Sequence, residues 1–274
     1  MSEPAASRSG RPLALVTGAS GGIGEELARL AARDGHDLVV VARSADRLDA
    51  LAGELRSHGT EVEVLVADLE TEAGQGAVER RLAEAEAGDR RPVDVLVNNA
   101  GFGTVGRFVE LPVDGELAQI TLNVSALVRL TRAVLPRLVQ VGRGGVLNVA
   151  SLASFEPGPG MATYAATKAF VLSFTEAIRE EVAGTGVRVS ALCPGFTHTG
   201  FQERAGVRTD GVTGLAAMAW QRAPDVARTG WEGFVADRAI IVPGLLNRAA
   251  AVGVRLAPRS AVRKLSARVV RQLH

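Results

Sequence analysis

The chemistry in this sequence gathers around two rare residues. Tyr164 is the only tyrosine, and Lys168 is one of just two lysines among 31 basic residues. They stand four apart in Tyr164-Ala165-Ala166-Thr167-Lys168, and residues at that spacing share one face of a helix. Ser151 lies a short way upstream. A phenol is a poor base at neutral pH, with an ordinary pKa of about 10. A neighbouring ammonium stabilises the phenolate, so Lys168 is expected to lower the pKa of Tyr164. The pair could then give a proton to a carbonyl oxygen or take one from an alcohol, while the Ser151 hydroxyl holds the same oxygen. The plainer alternative is a tyrosine packed beside a solvated lysine, with Ser151 as a turn or cap residue. Ser154, in the loop that follows, is a weaker rival to Ser151.

Proton transfer completes a carbonyl reduction only if something delivers a hydride, and a second set of residues could hold a carrier. Thr17-Gly18-Ala19-Ser20-Gly21-Gly22-Ile23-Gly24 follows an apolar run and opens a helical stretch. A glycine-rich turn in that position lets backbone N–H groups and a helix N-terminus approach a pyrophosphate; an ordinary glycine turn is the alternative. In NAD-selective sites an acid after the second strand binds the adenosine ribose. About twenty residues beyond this turn stands Ala42, with no acid beside it, and Arg43 follows. A guanidinium grips a 2′-phosphate through two hydrogen bonds, and Ser20 could add another. This predicts NADP(H) as the carrier, against the alternative that Arg43 is a solvated surface residue.

The glycines at 18, 22 and 24 are spaced T-G-x-x-x-G-I-G rather than G-x-G-x-x-G. That pattern resembles the short-chain dehydrogenase/reductase family, and further matches follow in order. Asn98-Asn99-Ala100-Gly101 resembles the family's N-N-A-G, Tyr164 to Lys168 its Y-x-x-x-K, and Pro194-Gly195, with Thr199 close behind, its turn after the sixth strand. The resemblance covers roughly residues 11–245. It implies an oxidoreductase acting on a carbonyl or alcohol, with Ser151, Tyr164 and Lys168 catalytic. It adds that Lys168 binds the nicotinamide ribose, that Asn123 helps relay protons through water, and that Asp68 touches the adenine. The alternatives are that Asn123 satisfies helix backbone and that Asp68 is a helix cap. It also implies a homodimer or homotetramer built by pairing two long helices, here about 118–141 and 161–183.

These residues need a scaffold to bring them together. Stretches 13–17, 37–42, 62–67, 93–97, 145–150 and 187–192 are apolar almost throughout, with 240–242 a plausible last strand. Uninterrupted apolar runs indicate strands buried on both faces. Helical spacing fills the gaps at 22–33, 45–57, 76–87, 118–141 and 164–183, with Pro136 expected to kink or end the fourth. Repeated β-α-β order implies an α/β fold, a Rossmann-like doubly wound parallel sheet of about seven strands with helices on both faces. Residues 1–10 read as a disordered N-terminus and 11–245 as one domain. A lid is expected near 196–236, with an apolar lid helix at 215–220, and Phe102, Phe155, Met161 and Phe196 as pocket lining.

Composition narrows the function further. A formal net charge of +1 gives no sign of a nucleic-acid binder. The single cysteine excludes an internal disulfide, residues 1–12 lack the apolar core of a signal peptide, and a cytoplasmic enzyme is expected. His36, His58, His198 and His274 are scattered, so no metal site is expected. The charge is uneven: no acid follows Asp237, and residues 1–237 carry a formal −7. Residues 246–274 read as a basic helical extension, in which Val262, Leu265, Val269 and Leu273 recur at helical spacing from Arg259 onward. That stripe could pack on the domain or a partner subunit, or make peripheral contact with an anionic membrane surface. The expected substrate is a lipophilic ketone, aldehyde or secondary alcohol. A dinucleotide-binding sensor and an epimerase or dehydratase on the same fold are the competing functions, and the Ser151, Tyr164 and Lys168 set argues against the sensor.

Overall fold

A strand with side chains packed on both faces is mostly apolar, and the central strands of the sheet are buried throughout. The structure, a computed structural model of the 274-residue chain, describes residues 10–83, 90–200 and 220–270. Its strands are β1 (Leu13–Thr17), β2 (Asp37–Ala42), β3 (Val62–Val66), β4 (Val95–Asn98), β5 (Gly145–Val149), β6 (Arg188–Leu192), β7 (Thr197–His198), β8 (Gln221–Arg222) and β9 (Ile240–Ile241). Seven of them form one parallel sheet in the order β3-β2-β1-β4-β5-β6-β9. Successive residues of a strand point to opposite faces. Ala14 and Val16 of β1, with Leu38 and Val40 of β2, enter one core layer; Leu13, Leu15, Val39 and Val41 enter the other.

Helices close both faces. The first layer is sealed by α1 (Gly22–Arg33), α2 (Ala45–Ser57) and α7 (Ala223–Val235). The second is sealed by α3 (Glu72–Ala83) and α5 (Leu127–Val141), with the C-terminal end of α6 (Ala162–Glu181) close by. The remaining helices are α4 (Val113–Ile120), α8 (Leu245–Leu256) and α9 (Arg259–Val270). The doubly wound single domain expected from the sequence is therefore present. Among the described residues no helix is long and apolar enough to cross a membrane.

Several boundaries differ from expectation. Helix α3 begins at Glu72 rather than 76, because the Thr71 hydroxyl accepts the Gly74 N–H at 3.0 Å and caps it; its expected end beyond 83 lies outside the described residues. Strand β4 runs from Val95 to Asn98 instead of 93–97, and α6 starts at Ala162. Pro136 does not end α5, which continues to Val141. Arg132, whose carbonyl loses its helical partner at Pro136, is exposed, so water can satisfy that group. The single long helix expected at 118–141 is instead α4, a π-helical turn (Thr121–Ala126) and α5.

The stretch expected as a lid, near 196–236, is described only at its two ends. Residues 201–219 lie outside the described residues, as do 1–9 of the expected disordered N-terminus and most of the expected lid helix. Trp220, the last residue of that helix, stacks on Phe196 with ring centroids 5.3 Å apart. Helix α7 is core, not lid: Val226, Ala227, Trp231 and Phe234 are buried against β6, β9 and α1. Trp231 also donates its indole N–H to Asp34 at the end of α1. The C-terminal extension is two helices, and the Val262 side of α9 is turned inward, with Ser266 bonded to Glu156.

The burial of α7 generates a test. Phe234→Ala should destabilise the protein by about 3–5 kcal/mol, the usual cost of emptying a buried phenyl site, read by urea unfolding. An unchanged midpoint would return α7 to the status of a lid.

Candidate active site

A doubly wound sheet opens a crevice where its strand order reverses. Here the chain runs from β1 outward through β2 and β3, then returns to β4 on the other side of β1. The glycine-rich turn leaves β1 and Asn99-Ala100-Gly101 leaves β4, so the two face each other across that crevice. Side chains lock them together. The Thr17 hydroxyl accepts the backbone N–H groups of Asn99 and Ala100 at 3.0 and 3.1 Å. The Asn99 amide donates back to the carbonyl of Thr17 at 3.0 Å and towards that of Gly18 at 3.3 Å.

This closeness dictates residue types. A Cβ at Gly24 would lie 2.3 Å from the Asn99 amide nitrogen and 2.4 Å from the Gly18 carbonyl oxygen, so only glycine fits. Ile23 packs into the core below the turn, Ser20 is half-buried within it, and Thr199 sits against Gly22. The N-cap of α1 is Gly21, which offers no side chain to the first N–H groups. The turn thus has the features of an anion cradle: glycines at its base and uncapped N–H donors at a helix start.

Ser151, Tyr164 and Lys168 meet at the C-terminal end of β5. The Tyr164 and Ser151 side chains are hydrogen-bonded. The Lys168 ammonium is buried, donates to the Val149 carbonyl at 2.8 Å, and lies 5.9 Å from the Tyr164 ring centroid. The same geometry separates the two serines. Ser154 donates to the backbone carbonyl of Lys168 at 2.7 Å and accepts the Ser151 N–H, which makes it a brace between the Ser151 turn and α6.

One electrostatic expectation is corrected. Desolvation pushes the Tyr164 phenol up, to about 12, opposed by its hydrogen bond with Ser151. Desolvation also pulls Lys168 down, to about 8. Lys168 does not lower the phenol here, because burial penalises the charged form of both groups and outweighs their attraction across this distance. Behind them the Cys193 thiol is pushed up to about 12 by burial, which leaves it unreactive.

Asn123 lies in the π-helical turn, buried at 2% exposure. Its amide donates to the Phe102 carbonyl at 2.9 Å and the Thr167 hydroxyl at 3.0 Å, and its oxygen accepts the Phe102 N–H at 3.2 Å. Asn123 thereby ties the loop after β4 to the residue preceding Lys168. A Cβ at Gly101 would lie 2.9 Å from the Asn123 oxygen and 3.3 Å from the Lys168 nitrogen, so both polar atoms close on the same small residue. Turns of this π type recur at functional sites.

The outlying residues fall into two groups. Arg43 follows β2 and Asp68 follows β3, its neighbour in the sheet. Arg43 is ion-paired with Glu70 at 2.9 Å and lies 3.9 Å from Asp68. Pro194 and Gly195 follow β6, where the Pro194 carbonyl accepts the Leu152 N–H at 2.8 Å. Phe102, Phe155, Met161 and Phe196 are all half-buried beside these segments.

The sequence reading missed other contributors. Buried Asn247, on α8, lies so close to Gly195 that a Cβ there would come within 2.6 Å of its amide nitrogen. Buried Glu116, on α4, accepts the hydroxyls of Thr104 and Thr163, which fixes the start of α6 one residue before Tyr164. Thr167 was visible inside the tyrosine–lysine motif, but Asn247 and Glu116 carry no local signal. Among the described residues no group of three or more histidines, cysteines or carboxylates could hold a metal.

Comparison with known proteins matches residues 12–209 to the short chain dehydrogenase family. A solved short-chain dehydrogenase from Sphingobium yanoikuyae, in complex with NADPH, is 40% identical; the alignment covers 89% of this chain and 93% of that one, with a TM-score of 0.79. A bulky-bulky ketone specific alcohol dehydrogenase from Comamonas testosteroni is 32% identical, covers 92% and 97% of the two chains, and has a TM-score of 0.75. A family protein from Burkholderia phymatum, in complex with NAD, is 27% identical over 93% and 95%, with a TM-score of 0.75. The fold, the crevice at its strand reversal and these matches agree, and the chain belongs to the short-chain dehydrogenase/reductase family of oxidoreductases.

Proposed function

We propose that the protein is an NADP(H)-dependent carbonyl reductase or alcohol dehydrogenase acting on lipophilic ketones, aldehydes or secondary alcohols. The observation that carries this reading is the Tyr164–Ser151 hydrogen bond beside the buried Lys168 ammonium, at the mouth of the strand-reversal crevice. A dinucleotide sensor has no use for a proton donor in that place. When bound, NADP(H) supplies or accepts the hydride. Gly18, Gly22, Ile23 and Gly24 would hold its pyrophosphate through backbone N–H groups, Arg43 and Ser20 its 2′-phosphate, and Asp68 its adenine. Lys168 would hold the nicotinamide ribose, with Asn99, Ala100, Gly101, Pro194, Gly195 and Thr199 around the nicotinamide end.

The chain's own residues then manage one proton. Ser151 orients the substrate oxygen and Tyr164 donates to it as the carbonyl is reduced. The phenol is protonated at neutral pH, the state a proton donor needs. An ammonium has three donors, and Lys168 uses one on Val149, leaving others for a ribose. Asn123 is one step from Lys168 through Thr167, a position from which a water-borne proton can reach the site. The half-buried phenylalanines and Met161 favour an apolar substrate, and the ketone specificity named for the Comamonas relative points the same way.

The enzyme is further read as a cytoplasmic homo-oligomer. Val113, Leu117 and Ile120 form an exposed apolar stripe at helical spacing on α4, and Phe170 is exposed on neighbouring α6. A stripe of that kind fits a subunit interface. For α9, the buried Val262 and the Ser266–Glu156 bond favour packing on the domain over contact with a membrane.

Three outcomes test this reading. Tyr164→Phe should lower turnover of ketones by about 10²- to 10⁴-fold, the usual worth of a positioned acid, while NADPH binding stays within about twofold; wild-type turnover in that variant removes the assignment. Reduction should hold its kcat/KM up to about pH 8 and fall above it, as Lys168 loses its proton well before Tyr164 does. A profile flat to strongly alkaline pH would show that the ammonium is dispensable. Finally, Arg43→Ala should weaken NADPH binding by roughly tenfold and leave NADH binding nearly unchanged, given the strength of hydrogen bonds to charged groups; equal losses would mean that Arg43 does not read the 2′-phosphate.

A further inference from the structure

We propose that Glu70 sets how strongly the enzyme prefers NADPH, by competing with the 2′-phosphate for Arg43. The inference rests on the reading of Arg43 as the 2′-phosphate ligand. Arg43 Nη1 donates to Glu70 Oε1 at 2.9 Å. The pairing follows from the sheet: β2 and β3 are neighbours in parallel register, with Ala42 beside Val66, so residues just past their ends are held close together. Glu70 is also fixed from below, since its backbone N–H donates to Asp68 Oδ1 at 3.0 Å. Its side chain is 26% exposed against 45% for Arg43, so the carboxylate is the more sheltered partner.

The consequence is electrostatic. A guanidinium recognises a phosphate best with two parallel N–H donors on one edge of its planar fork. Glu70 already holds one donor, and Asp68 adds a second carboxylate 3.9 Å from the same nitrogen. A dianionic phosphate must displace Glu70 or share the cation with it, and either course costs binding free energy. NADH brings only a neutral hydroxyl to this place and faces no such competition. Glu70 therefore narrows the gap between the two dinucleotides, and Asp68 remains for the adenine of both.

The test uses the purified full-length protein and dissociation constants for NADPH and NADH, measured calorimetrically without substrate. Glu70→Gln keeps the shape and removes the charge. It should tighten NADPH binding about three- to fivefold, the range open to a partly exposed ion pair, and change NADH less than twofold. In an Arg43→Ala background the same substitution should change NADPH less than twofold, because Glu70 acts through Arg43. The gain should also shrink at high salt. Three results overturn the inference: no change or weaker NADPH binding in Glu70→Gln, which makes Glu70 neutral or a preorganising partner; an equal gain for both dinucleotides; or the full gain without Arg43. Unfolding midpoints of each variant separate misfolding from binding loss, and Glu70→Ala repeats the test should the glutamine variant fail to fold. Tighter binding of NADH than NADPH by the wild type would instead defeat the cofactor reading on which the inference stands.

Discussion

The ends of β1 and β4 must be held together where the strand order reverses. Because the chain runs away from β1 in one direction and returns on its other side, the connections after these two strands diverge to opposite faces of the sheet. Thr17 and Asn99 span the gap with hydrogen bonds in both directions. Nearly everything at the site follows from that tie. It draws the glycine turn so close to Asn99 that Gly24 has no room for a side chain. It leaves the start of α1 without a cap, and it presents Gly101 to Asn123 and Lys168. The crevice is a consequence of strand order, and the residue types within it are a consequence of how tightly the crevice is closed.

A second constraint acts on the proton chemistry. Lys168 carries its charge into a buried place and is compensated there by a carbonyl at the end of β5. Burying an ammonium is costly, and its lowered pKa is the expression of that cost. Tyr164 pays the same kind of penalty in the opposite direction. The simple picture of a lysine charge that activates a tyrosine therefore does not describe this site. Two desolvated groups each resist ionisation, and the Ser151 hydrogen bond favours the phenolate. The surrounding ties, Asn123 to Thr167, Ser154 to the Lys168 carbonyl and Glu116 to Thr163, fix both ends of the motif on α6.

Much of this was legible in the sequence. The strands are legible because a doubly covered strand is mostly apolar, and the catalytic candidates because a chain so poor in tyrosine and lysine places them four residues apart. What stayed hidden has a common cause. In the sequence, the buried Trp231 and Phe234 of helix α7 are interleaved with glycines, and only contact with α1 reveals it as core. The π-helical turn has no pattern that distinguishes it from the helix on either side. Asn247, Glu116 and Glu70 matter through partners distant in sequence, and none is marked by a motif. The start of α3 at Glu72 is legible in Thr71 as a cap, but Gly74 inside the first turn masks it.

The central claim is that burial, more than the nearby ammonium, sets the proton state of Tyr164. Because Tyr164 is the sole tyrosine, phenolate absorbance reports its ionisation without interference from another phenol. A spectroscopic pH titration of the intact protein, followed only while circular dichroism shows the native fold, measures it directly. The account predicts ionisation well above the ordinary phenol value, towards about 12. A native-state titration at or below about 10, the value of an unperturbed tyrosine, would contradict it and restore Lys168 as the dominant influence.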